Sequence, residues 1–182
     1  MYKVIPWTSK LDLTNFYAIA EAKGFVNNAS QKMLVDSLAT ETEWCMYMLY
    51  YNNKAIGSAA AHSFPEMGVN SYRVLARTCI LEGARSNGGL MTRMTAIAQH
   101  QNLTSQFLLP ACLEWTKGDV YATSNTSKVA SQRLVHEHYF PTLEKLGLVK
   151  FKCLLDYRGH TQSVWQIYPE KFLQDLERYP RW

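Results

Sequence analysis

No apolar run in this chain approaches the roughly 20 residues that a helix needs to cross a bilayer. The first residues, MYKVIPWTSKLDLTNF, have no apolar core of the kind a secretory signal carries. Both absences lead to the expectation of a cytoplasmic protein with no membrane partner. Paired cysteines are missing as well. Cys45, Cys79, Cys112 and Cys153 stand far apart, so no disulfide framework, zinc knuckle or other metal site is expected. They read as small reduced packing residues. Strong charge of either sign is lacking: 19 Lys and Arg against 15 Asp and Glu give a net charge of +4. That balance suits an anionic ligand and is no nucleic-acid signature. Repeats, low-complexity tracts and linkers are absent too.

What is present is a chain of 182 residues, 47% hydrophobic and 13% aromatic. That supports one folded domain over 1–182 with a sizeable core. YKVIPW reads as a first strand. Leu13, Phe16, Tyr17 and Ala20 recur on one helical face, with Gly24 as a stop. A second helix is expected from Ser30, carrying Met33, Leu34 and Leu38. WCMYMLYY and KAIGSAAAHSF read as strands joined by a two-asparagine hairpin turn at Asn52 and Asn53. SYRVLARTCIL reads as a strand with Tyr72, Val74, Ala76, Thr78 and Ile80 on one side. Arg73, Leu75, Arg77, Cys79 and Leu81 then fall on the other.

Leu90, Met91, Met94, Ile97 and Ala98 mark the next helical face. LTSQFLLPACLEWTK is a helical piece interrupted or started by Pro110. DVYATSN is a strand. TSKVASQRLVHEHYFPTLEKLG reads as a long helix bent at Pro141 and ended at Gly147. LVKFKCLLDY and QSVWQIY form a last hairpin, followed by a short helix, PEKFLQDLERY. This order implies an α/β (α+β) fold with one mixed sheet and helices on its faces.

The junction LEGARSNGGLMTR carries the clearest chemistry. Free N–H groups at a helix start carry partial positive charge, and glycines let a phosphate approach the backbone. An arginine adds a charge-assisted contact. Arg85, Ser86, Asn87, Gly88, Gly89 and Leu90 therefore read as a diphosphate cradle. It is neither a Walker loop nor G-x-G-x-x-G. The plain alternative is a glycine turn that merely joins strand to helix.

With that junction after the fourth strand, the layout resembles the GNAT acetyltransferase superfamily, whose signature there is Q/R-x-x-G-x-G/A. Arg85, Gly88 and Leu90 align with it, Leu90 standing in place of the small residue. Asn125 after the fifth strand, Ala130, and EKLGLV match the family's second landmark, except that Leu148 replaces an aromatic. The resemblance implies a mostly antiparallel mixed sheet with helices on both faces. It implies acetyl-CoA, or another acyl-CoA, between the fourth and fifth strands. The pantetheine arm would then pair with backbone at Thr78, Cys79, Ile80 and Leu81, the diphosphate would sit on the 85–90 turn, and Asn125 would face the cofactor. The implied reaction is direct attack of an amine on the thioester, which needs a neutral amine, an oxyanion donor and a proton for the thiolate.

The family's proton donor is a tyrosine in the helix after Asn125. Tyr139 is the tyrosine there, and His136 and His138 are the other proton carriers in that segment. His62, in the third strand, is a candidate base. Arg73 and Arg77 are candidates for binding an acidic substrate or a carboxylate beside the acceptor amine. Each has a structural alternative: packing aromatic, satisfied histidine, ion-pair partner. The functional expectation is an N-acyltransferase acting on a small-molecule or peptide amine, with a homodimer left open. The rival is a catalytically silent GNAT-like interaction module.

Overall fold

The computed structural model describes residues 1–22, 43–81, 90–126 and 135–182. The elements are β1 (Tyr2–Pro6), α1 (Thr14–Ala22), β2 (Trp44–Tyr51), β3 (Lys54–Ser63), β4 (Ser71–Ile80) and α2 (Leu90–Ala98). They continue with α3 (Leu109–Trp115), β5 (Asp119–Asn125), α4 (Phe140–Lys145), β6 (Val149–Tyr157), β7 (His160–Ile167) and α5 (Pro169–Leu176). The expected stop at Gly24 and the helix expected from Ser30 lie outside the described residues.

The seven strands form one sheet in the order β1-β2-β3-β4-β5-β7-β6. Only β4 and β5 run parallel; the other five neighbouring pairs are antiparallel. Asn52 and Asn53 have φ of 47° and 63°, the two left-handed residues that a tight β2–β3 hairpin requires. Arg158 and Gly159, at 53° and 79°, do the same between β6 and β7.

Helices cover both faces, as expected. On one face Leu13, Phe16, Tyr17 and Ala20 of α1 bury against Met46, Met48, Ala60, Ala76 and Cys79. On the other, α2, α3, α4 and α5 bury Ile97, Leu109, Cys112, Phe140, Leu143, Phe172 and Leu176 against Leu49, Ala59, Ala61, Val74, Val120, Ala122, Trp165 and Ile167. The alanine run in β3 explains how both helical layers come so close: 59 and 61 face one layer, and 60 the other. No helix among the described residues is long and apolar enough to cross a membrane.

Two expectations about helices are refined by proline. Five-residue widened turns, Thr104–Leu108 and Val135–Tyr139, lead directly into α3 and α4. Pro110 and Pro141 each stand in the first turn that follows. A proline has no N–H to give and its ring crowds the carbonyl four residues back, so the preceding turn opens. Gly147, with φ of 74°, ends α4 as expected.

The simple alternation expected along β4 is overturned. Its pairing with β3 slips twice, between the His62↔Arg73 and Ala60↔Ala76 pairs and again between Ala60↔Ala76 and Ser58↔Cys79. Each slip inserts one extra residue into β4. Val74 therefore packs in the helical layer of α3 while Ala76 packs under α1. The face that carries Arg73 continues through Ala76 and Cys79, at spacings of three.

Candidate active site

The bulges change what β4 and β5 can do together. The parallel ladder runs from Ser71↔Asp119 to Val74↔Ala122 and ends there. Beyond it β4 stays paired with β3 up to Ile80, and β5 stays paired with β7 up to Asn125. Each is held from one side, so the two strands part. The parting coincides with Leu75, whose φ of 56° is rare for a branched apolar residue. Three contacts hold that conformation. The Thr78 hydroxyl donates to the Leu75 carbonyl at 2.6 Å, the Cys112 thiol lies on the Leu75 amide, and the Leu75 side chain packs on the helical-layer core.

A polar chain crosses the sheet at the point of parting, on the α1 side. Arg73 Nε donates to Thr123 Oγ1 at 2.8 Å, and Thr123 donates to Gln162 Oε1. Gln162 in turn donates to the Tyr157 carbonyl at 3.5 Å. The Arg73 guanidinium also lies over the Tyr157 ring, 5.0 Å from its centroid, and Arg158 lies on the same ring at 5.1 Å. Burial lowers the pKa of Arg158 from its ordinary value. His62, buried beside Arg73, donates from Nδ1 to the Ser63 carbonyl at 2.6 Å. Its Nε2 lies 3.4 Å from Arg73 Nη1, so a neutral imidazole with its lone pair on Nε2 satisfies both contacts.

Tyr139 lies elsewhere. It is buried in the helical layer on the opposite face, against Phe140. Its hydroxyl is 2.8 Å from that of Ser105, and burial pushes its pKa up to about 12. His62 shares a sheet face with Ala60 and Arg73, so the structure does not bring His62 and Tyr139 onto one face.

The other candidates divide as follows. Thr78 is exposed, Cys79 buried, and Ile80 and Leu81 half-buried. The Leu81 N–H donates to the Ile56 carbonyl at 2.9 Å, so that amide is engaged on the β3 side. Alternation then turns the backbone groups of Ile80 to the β5 side. Asn125 closes β5 opposite Gln162. Leu90 opens α2. Arg85, Ser86, Asn87, Gly88 and Gly89 lie outside the described residues, as do the side chains of Arg77, Leu90 and His136.

Thr123, Tyr157 and Gln162 are members of the crossing chain that sequence reasoning passed over. One signal was present. In DVYATSN, Val120 and Ala122 are core residues, so Tyr121 and Thr123 must occupy the other face. Nothing local marks Gln162 or Tyr157.

No protein-family model matches the sequence, and no curated protein matches it. Solved structures match over nearly the whole chain. A GNAT family acetyltransferase from Elizabethkingia anophelis, with acetyl-CoA bound, has a TM-score of 0.51 at 13% identity and covers 91% of this chain and 97% of its own. Arabidopsis thaliana Naa50, in complex with the bisubstrate analogue CoA-Ac-MVNAL, has a TM-score of 0.51 at 14% identity, with 92% and 98% covered. The ribosomal-protein-S18-alanine N-acetyltransferase of Escherichia coli gives 0.51 at 12% identity, with 92% and 93% covered. At such identities the likeness is one of fold, and the chain has the GNAT fold.

Proposed function

We propose that the chain is an N-acyltransferase that moves an acetyl group from acetyl-CoA to an amine. The observation that carries this reading is the parting of β4 and β5 after Val74↔Ala122, held open by the bulge at Leu75. A slot between two parallel strands offers backbone amides from one wall and side chains from the other, which suits an extended amide-bearing arm. Acetyl-CoA supplies the acyl group as a thioester.

Thr78 and Ile80 offer backbone to the pantetheine arm, with Cys79 and Leu81 between them, and Asn125 faces it from β5. Arg85, Ser86, Asn87, Gly88, Gly89 and Leu90 hold the diphosphate through the start of α2. His62 is the candidate base for the acceptor ammonium; its Nε2 lone pair is engaged by Arg73, so it takes a proton there only when that contact opens. Arg73 braces β4 on β5 and gives the acceptor end a positive charge, and Arg77 stays a candidate for the acceptor's carboxylate. Tyr139 and His136 are the candidate proton carriers for the thiolate; the Tyr139 hydroxyl is engaged by Ser105 in the helical layer, so that bond must open before the phenol reaches the sulfur. A phenol held near 12 is protonated at neutral pH but is a weaker acid than free tyrosine. In that opened arrangement it would steady the departing thiolate by hydrogen bonding more than by full transfer. The acceptor class to test first is a peptide or protein amine, because the Arabidopsis neighbour is in complex with the bisubstrate analogue CoA-Ac-MVNAL and the E. coli neighbour is named a ribosomal-protein-S18-alanine N-acetyltransferase.

The test is calorimetry with CoA, followed by a thiol-release assay across peptide and small amines. Binding that survives Gly88→Glu, which puts a carboxylate where the diphosphate belongs, would remove the cradle. Absence of CoA binding in the unaltered protein would remove the function.

A further inference from the structure

The sheet ends in β6, and among the described residues no strand pairs its outer edge. Such an edge is a template for another strand. Its register can be read residue by residue. Tyr157 and His160 flank the two-residue turn, so they form the close hydrogen-bonded pair. Leu155 and Cys153 then also direct their backbone groups to β7. Asp156 and Leu154 direct theirs outward. The Thr126 N–H donates to the Thr161 carbonyl at 3.2 Å, which confirms that Thr161, opposite Asp156, turns its backbone to β5. Further along, β6 carries an extra residue between Phe151 and Cys153. There Glu144 accepts from the outward Phe151 N–H at 2.8 Å and closes that end of the edge.

The open stretch thus runs from Lys152 to Asp156 and is centred on Leu154. Leu154 is 60% exposed, with Leu146 and Phe151 at 43% and 41% on the same margin. Lys152 and Asp156 are both exposed and stand two residues to either side. The order is cation, apolar, anion. An antiparallel strand of the same sequence matches it about a two-fold axis: Lys152 meets Asp156, Leu154 meets Leu154, and Asp156 meets Lys152. Opposite charges in directly facing positions favour this register; a shift of two residues one way sets Lys152 against Arg158, and a shift the other way separates the two leucines, sets Leu154 against Lys152 and runs the pairing into the end closed by Glu144.

We infer that the β6 edge binds a second copy of this chain, β6 against β6 antiparallel with Leu154 on the two-fold axis. The two sheets then continue as one of fourteen strands (twice the seven of one chain). The contact is isologous, so at this edge it closes at two copies. The inference does not depend on the proposed activity, because β6 is separated from the β4–β5 slot by β7 and β5.

A residue that faces itself across an axis has a test that no other residue has. Leu154→Lys and Leu154→Asp each set like charges together and raise the dimer Kd by about tenfold or more. An equal mixture of the two sets Lys against Asp and restores the dimer. Leu154 is exposed, so both variants keep the fold, which far-ultraviolet circular dichroism verifies. Sedimentation equilibrium reads the result. A monomeric unaltered protein overturns the inference and returns the edge to some other strand. A dimer that persists in either single variant, or that the mixture fails to restore, overturns the register.

Discussion

The hydroxyls of Tyr139 and Ser105 meet at 2.8 Å, and each residue sits in a widened turn that leads into a proline-started helix. The two prolines open the turns, and the openings face each other in the core. One hydrogen bond therefore ties α3 to α4 through the irregular parts of both.

Tyr139→Phe keeps the ring and removes that bond. The buried Ser105 hydroxyl loses its partner, and stability falls by about 1 kcal/mol. Ser105→Ala costs a similar amount, and the double variant costs less than the sum. Urea unfolding of the four proteins measures the coupling. Acyl transfer separates the roles further. A phenol that acts as donor makes Tyr139→Phe slow while Ser105→Ala, which keeps the phenol, stays fast. Equal rates in all four proteins would leave Tyr139 a packing residue.

Thr123 joins Arg73 to Gln162, so Thr123→Val leaves both short of a partner. The expected loss is about 1–3 kcal/mol, and Thr123→Ser, which keeps the hydroxyl, recovers most of it. Chemical denaturation of the two variants is the check. A harmless Thr123→Val would mean that the chain across the parting strands holds nothing together.

His100 is fully buried, with Nε2 3.0 Å from Asp175 Oδ2 and no hydrogen-bond partner for Nδ1 among the described residues. Burial lowers its pKa, outweighing the pull of Asp175, and Arg181 adds to the lowering. The folded chain thus resists a proton that the unfolded chain takes up below about pH 6.5. Linkage then makes stability full above that value and falling as pH drops through it. Denaturation at pH 7.5 and pH 5.5 should show the loss, and His100→Asn, which tolerates the residue's φ of 53°, should flatten it. An unchanged slope in that variant would assign the acid sensitivity to other groups.

The β2–β3 turn offers a gain. Asn53 holds φ of 63° at the second turn position, where glycine is the unstrained choice. Asn53→Gly should raise the melting temperature, and Asn53→Val should lower stability by about 1–2 kcal/mol. Thermal unfolding decides, and a stable Asn53→Val would show that the turn had rearranged.

Much of this architecture was legible in the sequence because it is local. Asn52 and Asn53 announce their turn through a conformation that few residues tolerate. Leu13, Phe16, Tyr17 and Ala20 announce α1 through spacing alone. β4 was misread because a bulge leaves no mark in composition: Leu75 looks like any strand leucine until the pairing with β3 is known. The chain through Thr123, Gln162 and Tyr157 was missed for a related reason. Its members are 39 positions apart in the case of Thr123 and Gln162, and only the β5–β7 ladder brings them together. The two candidate proton carriers, His62 and Tyr139, were each visible as chemistry. The sheet face each would occupy was not.

β4 also spends more chain than the distance it crosses. Eight residues, Arg73 to Ile80, run alongside six, Gly57 to His62. The surplus is two residues, roughly 6–7 Å of extended contour folded into kinks. This is slack, and it lies on the strand that borders the proposed slot. With the pairs at both ends, His62↔Arg73 and Gly57↔Ile80, in place, the surplus cannot lie along the ladder and stands out of it as the two kinks. Deleting Leu75 should remove one kink and let β3 and β4 pair without a slip there, which takes away the bulge beside the parting of β4 from β5. The register at both ends of the β3–β4 pair is thereby kept apart from the number of residues between them, so a change of length in β4 alters the border of the proposed slot without refolding the strands around it.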